Sequence, residues 1–252
     1  MRERSPAPVG DKWRAGHGRC RVACPAVDRG RADQQLRLIA EAVRVAGALG
    51  VEVWLRGGWA MDFFLGEITR DHEDIDWFAW ADDAGALAEG LLSHGHRPVP
   101  GPPPDLQLDF AKDGLDSSFT LLDRDAAGRV VVAGGPWAGA PWPEGMLDAG
   151  PGRIGGLQCA IVGPQAQIEI KRMMPVWDPS RPRRTKDAKD IARLEAALGR
   201  LFRILSAEPA GSGAVYGKAE GRPCTGRTWA PRQRGQVRCQ TPRARQDPKE
   251  TA

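Results

Sequence analysis

Several things are scarce in this 252-residue sequence, and each scarcity narrows what it can be. No apolar run approaches the ~18 residues of a membrane-spanning helix, so a helical membrane protein is not expected. No internal repeat is visible, which argues against a stacked-repeat architecture. Cysteine is limited to five residues, Cys20, Cys24, Cys159, Cys224 and Cys239, an odd number with four of them in the terminal stretches. Cys20 and Cys24 form a close pair that no second close pair follows, which speaks against a zinc site. The opening "MRERSPAPVGDKWRAGHGRCRVACPAV" lacks the apolar centre of a signal peptide, so a cytoplasmic location with reduced thiols is expected.

What is present is ordinary in bulk and uneven in placement. Hydrophobic residues make up 41% and charged residues 27%, as in soluble domains, and the chain is long enough for one medium domain with a small addition. The net charge of +4 suggests nucleic acid, but much of the positive charge lies before about residue 30 and after about residue 205, leaving a mildly acidic middle. Residues 1–30 and 206–252 are rich in Arg, Gly and Pro without apolar periodicity and are expected to be disordered tails.

Between them, Asp33 is placed to cap a helix over "QQLRLIAEAVRVAGALG", which Gly50 closes. "VEVWL" predicts a strand running into Gly57-Gly58. "AMDFFLG" predicts a short helix and "EDIDWFAW" a second strand. A helix with Leu87, Leu91 and Leu92 inward follows, then three strands over "LQLDF", "GLDSSFTLL" and "RVVVAG". "LQCAIVG" predicts a further strand. Two helices close the pattern, one opening at Pro164, the other carrying an Ile191/Leu194/Ala197/Leu198/Leu201 stripe. The expected fold is α/β (α+β), a mixed sheet flanked by helices, with a core over 31–162 and a helical region over 163–205.

The chemistry is concentrated in "GGWAMDFFLGEITRDHEDIDWFAW", Gly57 to Trp80. Residues two apart on a strand point the same way, about 6.5–7 Å apart, so Asp74 and Asp76 share one face while Ile75 and Trp77 enter the core. Two such carboxylates can share a pair of hard cations held about 3.5–4 Å apart. Oxygen-only ligands suit Mg²⁺, which keeps phosphate oxygens in its shell. Gly57-Gly58 before a helix lets the backbone approach a phosphate at the helix N-terminus. Taken singly, a double glycine is a turn and an Asp-x-Asp a solvated strand edge; their order and spacing give the combination its meaning.

The set Gly57, Gly58, Trp59, Asp62, Leu65, Gly66, Arg70, His72, Asp74, Ile75 and Asp76 resembles the signature of the DNA polymerase beta-like nucleotidyltransferases. It looks most like their small antibiotic-modifying members, the aminoglycoside 2''-adenylyltransferases and lincosamide nucleotidyltransferases. "RRTKDAKDIARL" in the last helix is similar to a further motif of these enzymes. The resemblance implies that a nucleoside triphosphate, ATP, binds with two Mg²⁺ on Asp74 and Asp76. An acceptor hydroxyl then attacks the α-phosphorus and pyrophosphate leaves.

It also implies a third carboxylate on a neighbouring strand, for which Asp116 is the candidate, with Ser118 in the alternative register and Asp109 the fallback. Arg70 is either a phosphate donor or a surface arginine. Lys186 either reaches the triphosphate or is solvated, and His72 either orients Asp74 or is structural. Acids crowding the middle strands suit a cationic acceptor of aminoglycoside type, although turns account for several of them. Trp137, Trp142 and Trp177 either stack on the acceptor or pack a loop. The rival functions are transfer to tRNA or protein, and a decayed nucleotide-binding protein without turnover.

Overall fold

The computed structural model describes residues 27–206. Helix α1 (Arg29–Leu49) leads through β1 (Val53–Arg56) into α2 (Gly57–Leu65), β2 (Ile75–Trp80) and α3 (Ala84–Ser93). The short β3 (Arg97–Pro98), β4 (Gln107–Lys112), β5 (Leu115–Arg124) and β6 (Val130–Val132) follow. A ribbon of β7 (Gly152–Ile154) and β8 (Leu157–Cys159) precedes helices α4 (Pro164–Trp177) and α5 (Thr185–Ser206). The main sheet runs β1-β2-β5-β4-β3, with β6 on β5. The β2–β5 pair is parallel and the other neighbours are antiparallel. This is the α/β architecture with a mixed sheet expected above.

Strict alternation along β2 builds the two sides of the sheet. Ile75, Trp77 and Ala79 enter one layer with Leu55, Phe119 and the inner faces of α1 and α3. Trp77 and Phe119 stack at 5.7 Å with 5° between their planes. Phe78 enters a second layer with Trp54, Leu122, Met146 and Val162. Each fully buried large apolar side chain contributes about 1.5–3 kcal/mol, so the strand can carry Asp76 near its start, with Asp74 just before it, and still hold its place. Met61, Ile168 and Leu194 form a third cluster that seats α4 and α5 on α2.

Three local expectations are corrected. The α1 cap is Asp28, whose carboxylate accepts from the Arg31 N–H at 3.1 Å, so the helix starts at Arg29, five residues before the expected Gln34 and within the stretch assigned to the N-terminal tail. Tertiary contacts set that start: the Asp28 N–H donates to Asp71 at 2.8 Å and Arg31 reaches the Glu73 carbonyl at 2.9 Å. Leu92 is 45% exposed, because it lies one residue beyond the inward Leu87/Leu91 pair and has turned off that face. Leu201, at the end of the predicted α5 stripe, is exposed as well. The expectations for residues 1–26 and 207–252, including Cys20, Cys24, Cys224 and Cys239, lie outside the described residues.

Candidate active site

The two glycines turn out to serve different neighbours. Gly57 has φ +68°, a backbone state L side chains rarely adopt, and a Cβ there would lie 2.6 Å from Asp76 Oδ2. The Asp76 carboxylate is therefore tucked against the first turn of α2. A Cβ on Gly58 would instead lie 2.4 Å from His72 Nδ1 and 2.6 Å from Arg70 Nη2. Gly58 makes room for the loop that delivers Asp74, whereas Gly57 makes room for Asp76 itself.

That loop, between α2 and β2, is tied down from three helices. Buried Asp62 on α2 accepts from Thr69 N at 3.0 Å, Thr69 Oγ1 at 2.7 Å and His72 Nε2 at 2.7 Å. Arg70 Nη1 lies 3.0 Å from His72 Nδ1. A guanidinium can only donate, so Nδ1 accepts and the ring proton sits on Nε2, facing Asp62. Arg70 also grips Asp190 of α5 with two bonds, Nε–Oδ1 3.2 Å and Nη2–Oδ2 2.9 Å. From α1, Gln35 Nε2 donates to the His72 carbonyl at 3.2 Å. His72 is thus structural, and Asp62 is the acid it touches.

Across the sheet, the register aligns Arg56 of β1, Asp76 of β2, Ser118 of β5 and Asp109 of β4 in one row on one face. Asp116 is two residues before Ser118, so it is on the same face and, by continuation of the parallel register, level with Asp74. It sits at the exposed end of β5, opposite Ala111. Ser118 and Asp116 are therefore not alternatives of facing but of height along the strand. Asp109 accepts from Gln107 Nε2 at 2.8 Å and lies under Gly101, whose Cβ would fall 1.7 Å from its Oδ2. Burial raises the Asp76 carboxyl above the usual range, the nearby Asp74 adds to the rise, and Arg56 opposes it.

Arg56, Asp74, Asp76, Met174 and Arg181 line both of two adjoining cavities. One, of about 410 Å³, has a basic wall of Lys171, Arg181 and Arg184 beside Gly57. The other, of about 730 Å³, is lined by Ser118, Trp137, Trp142, Trp177, Glu169 and Asp178. Lys171 donates to Asp190 at 3.0 Å, and Arg184 grips Asp187 with bonds of 2.9 and 3.1 Å. Burial alone would raise Asp187 and Asp190, but Arg184 and Lys171 at Asp187, and Arg70 and Lys171 at Asp190, outweigh it and hold both carboxyls below their ordinary range. Among the described residues, no group of three His, Cys, Asp or Glu side chains is gathered closely enough to hold a metal ion. Asp74, Asp76 and the Ser118 hydroxyl are an oxygen-only donor set, which suits Mg²⁺ completed by phosphate oxygens and water.

Of the residues singled out in the sequence, Gly57, Asp74, Asp76, Ser118, Trp137, Trp142 and Trp177 line these cavities. Gly58, Arg70, Lys186 and Asp116 do not: Arg70 is engaged by Asp190, and Lys186 donates to Glu73 at 2.9 Å. The basic wall was missed. Arg184 stood in the quoted "RRTKDAKD", and Lys171 was the one cation on the inward side of "IEIKRMM", a signal that could have found it.

The sequence model of the family described as aminoglycoside-2''-adenylyltransferase matches residues 38–101. A 2''-aminoglycoside nucleotidyltransferase of Klebsiella pneumoniae is 43% identical over 42 residues, 17% of this chain and 24% of the relative. The same identity and coverage are found with a 2''-aminoglycoside nucleotidyltransferase of Escherichia coli. The chain thus spans about a quarter of these curated relatives' length. The solution structure of the antibiotic-resistance factor ANT(2'')-Ia superposes with a TM-score of 0.54 at 21% identity, over 69% of this chain and 90% of that one. Its crystal structure in complex with adenylyl-2''-tobramycin gives 0.53 at 21%, over 68% and 94%. Among the described residues, no helix is long and apolar enough to cross a membrane. The chain shares the fold of the ANT(2'')-Ia structures, and it resembles the aminoglycoside 2''-adenylyltransferases over residues 38–101, the segment that carries Gly57, Asp74 and Asp76.

Proposed function

We propose that the chain is a nucleotidyltransferase that moves AMP from ATP to a hydroxyl of a small cationic acceptor of aminoglycoside type, acting in the cytoplasm. The observation that carries this is the sharing of Asp74 and Asp76 by two cavities of unlike chemistry. Lys171, Arg181 and Arg184 on the helical region over 163–205 suit the donor's phosphates, with the first turn of α2 at Gly57 behind them. The tryptophans and the carboxylates Glu169 and Asp178 suit an acceptor that is part sugar and part ammonium. The similarity to 2''-aminoglycoside nucleotidyltransferases supports the same acceptor class.

In this reading Asp74 and Asp76 would hold Mg²⁺ with the triphosphate, whose oxygens would complete the ligand set, and Asp116, outside both cavities at the exposed end of β5, would serve a second ion only from that rim. When bound, the metal neutralises phosphate charge and fixes the α-phosphorus for in-line attack. The acceptor oxygen bonds to the α-phosphorus as the α–β bridging bond breaks, and that electron pair leaves on pyrophosphate. Asp116, level with Asp74, takes the acceptor's proton. The residues mainly position and neutralise, which is where catalysis of such transfers resides.

Ser118 facing Asp76 favours a second reading, nucleotide binding without turnover. Pyrophosphate release from Mg·ATP, measured across aminoglycosides, lincosamides and bulk tRNA with Asp76→Asn as control, separates them. Release that depends on an aminoglycoside and is lost with the variant or with a metal chelator supports the transferase. Release with tRNA alone would move the acceptor to nucleic acid, and Mg·ATP binding without release would favour the second reading.

A further inference from the structure

Four cations line the two cavities, and they differ in one respect. Lys171, Arg181 and Arg184 each have a carboxylate partner, at 3.0 Å on Asp190, 3.3 Å on Asp178 and 2.9 Å on Asp187. Arg56 is the one without a carboxylate within salt-bridge distance among the described residues. Its hydrogen bond runs from Nη1 to Thr120 Oγ1 at 2.9 Å. A guanidinium carries five N–H donors, so most of its donors stay unspent, on a partly buried group that faces both cavities.

The fold holds this cation in a fixed place. The β1–β2 register sets Arg56 beside Asp76, and its side chain crosses β2 to reach Thr120 on β5. On the way it lies over the Phe78 ring, 4.5 Å from the centroid, with Trp142 at 5.8 Å. Two aromatic faces and one hydroxyl fix the plane of the fork. A partly buried cation without a paired anion is costly, and Asp74 and Asp76 offset its charge only at longer range. Were those carboxylates to hold Mg²⁺, that offset would weaken and an anion beside Arg56 would replace it.

We infer that Arg56 is a catalytic residue that donates to the non-bridging oxygens of the transferred α-phosphate, at the boundary between donor and acceptor cavities. This rests on the nucleotidyltransferase reading above. Negative charge on those oxygens is shared with the guanidinium as the acceptor oxygen bonds to phosphorus and the bridging electron pair leaves on pyrophosphate. The acceptor proton still passes to Asp116.

The test uses the full chain with Mg·ATP, an aminoglycoside acceptor, and the two α-phosphorothioate diastereomers of ATP. Arg56→Ala is expected to lower kcat about 10²–10³-fold while KM for ATP changes far less, because the contact strengthens in the transition state. The wild-type preference between the diastereomers should collapse in the variant, and guanidinium ion in the buffer should restore part of the rate. Arg56→Lys, which keeps the charge and loses the fork, provides the same readout if the alanine variant does not fold. Unchanged kcat and an unchanged diastereomer ratio in a folded variant would overturn the role of Arg56 alone. No transfer by the wild-type chain to any acceptor would overturn the transferase reading and this inference with it.

Discussion

Arg70 and Asp190, 120 residues apart in the chain, meet in a two-pronged ion pair with bonds of 3.2 and 2.9 Å. Asp190 is fully buried and also accepts from Lys171, so one carboxylate joins the loop before β2 to both closing helices. Asp190→Ala should destabilise the protein by about 3–5 kcal/mol, since it leaves Arg70 without its counter-ion and Lys171 with Asp187 alone, at 3.5 Å. Urea unfolding of the purified variant measures this, and a loss below about 1 kcal/mol would show that the pair does not anchor the loop.

The same acids make stability depend on pH in a defined direction. Burial would raise Asp187 and Asp190, yet Arg184, Arg70 and Lys171 hold both below the ordinary range. Their contribution is therefore complete above the unfolded carboxyl pKa of about 4 and is lost as pH falls through their lower folded values. The stability gap between wild type and Asp190→Asn should be level from about pH 7 to pH 5 and close below about pH 4. Denaturant titrations at several pH values give the gap directly, and a gap that widened on acidification would contradict the sign.

Gly57→Ala and Gly58→Ala should fail differently. At Gly57 the added methyl needs a left-handed backbone and meets the Asp76 carboxylate, so Mg·ATP affinity should fall at least tenfold while the fold survives. At Gly58 it meets His72 and Arg70, which are locked by Asp62 and Asp190, so stability should drop by about 1–3 kcal/mol. Thermal melting and nucleotide titration of both variants check the split. Equal losses in both assays for both variants would argue against separate roles.

Asp116→Asn tests the third carboxylate. If Asp116 accepts the acceptor's proton, kcat should fall about 10²–10⁴-fold with Mg·ATP affinity nearly unchanged, whereas Asp76→Asn should abolish both. Steady-state transfer with nucleotide-binding titrations separates the two. Full activity of Asp116→Asn would remove it from the site.

The sequence determined the order of the longer elements and the seat of Asp74 and Asp76, because these rest on local rules, while the short β3 and β7 left no local signal. Alternation along "IDWFAW" sends Ile75 and Trp77 to one layer and Asp76 to the other face, whatever the rest of the chain does. The double glycine before α2 was legible for the same reason, since backbone freedom is a property of the residue itself. Tertiary structure decided what each glycine accommodates, and which cations enter the cavities. Arg70 and Lys186 look free in the chain and are engaged by Asp190 and Glu73, while Lys171 and Arg184 line a cavity. Arg56 reads as the polar end of a strand until the register sets it beside Asp76. The height of Asp116 relative to Asp74 likewise follows from the parallel pairing of β2 with β5. Side-chain partners separated by 40 to 120 residues are fixed by how strands align and helices seat, and no local pattern carries that information.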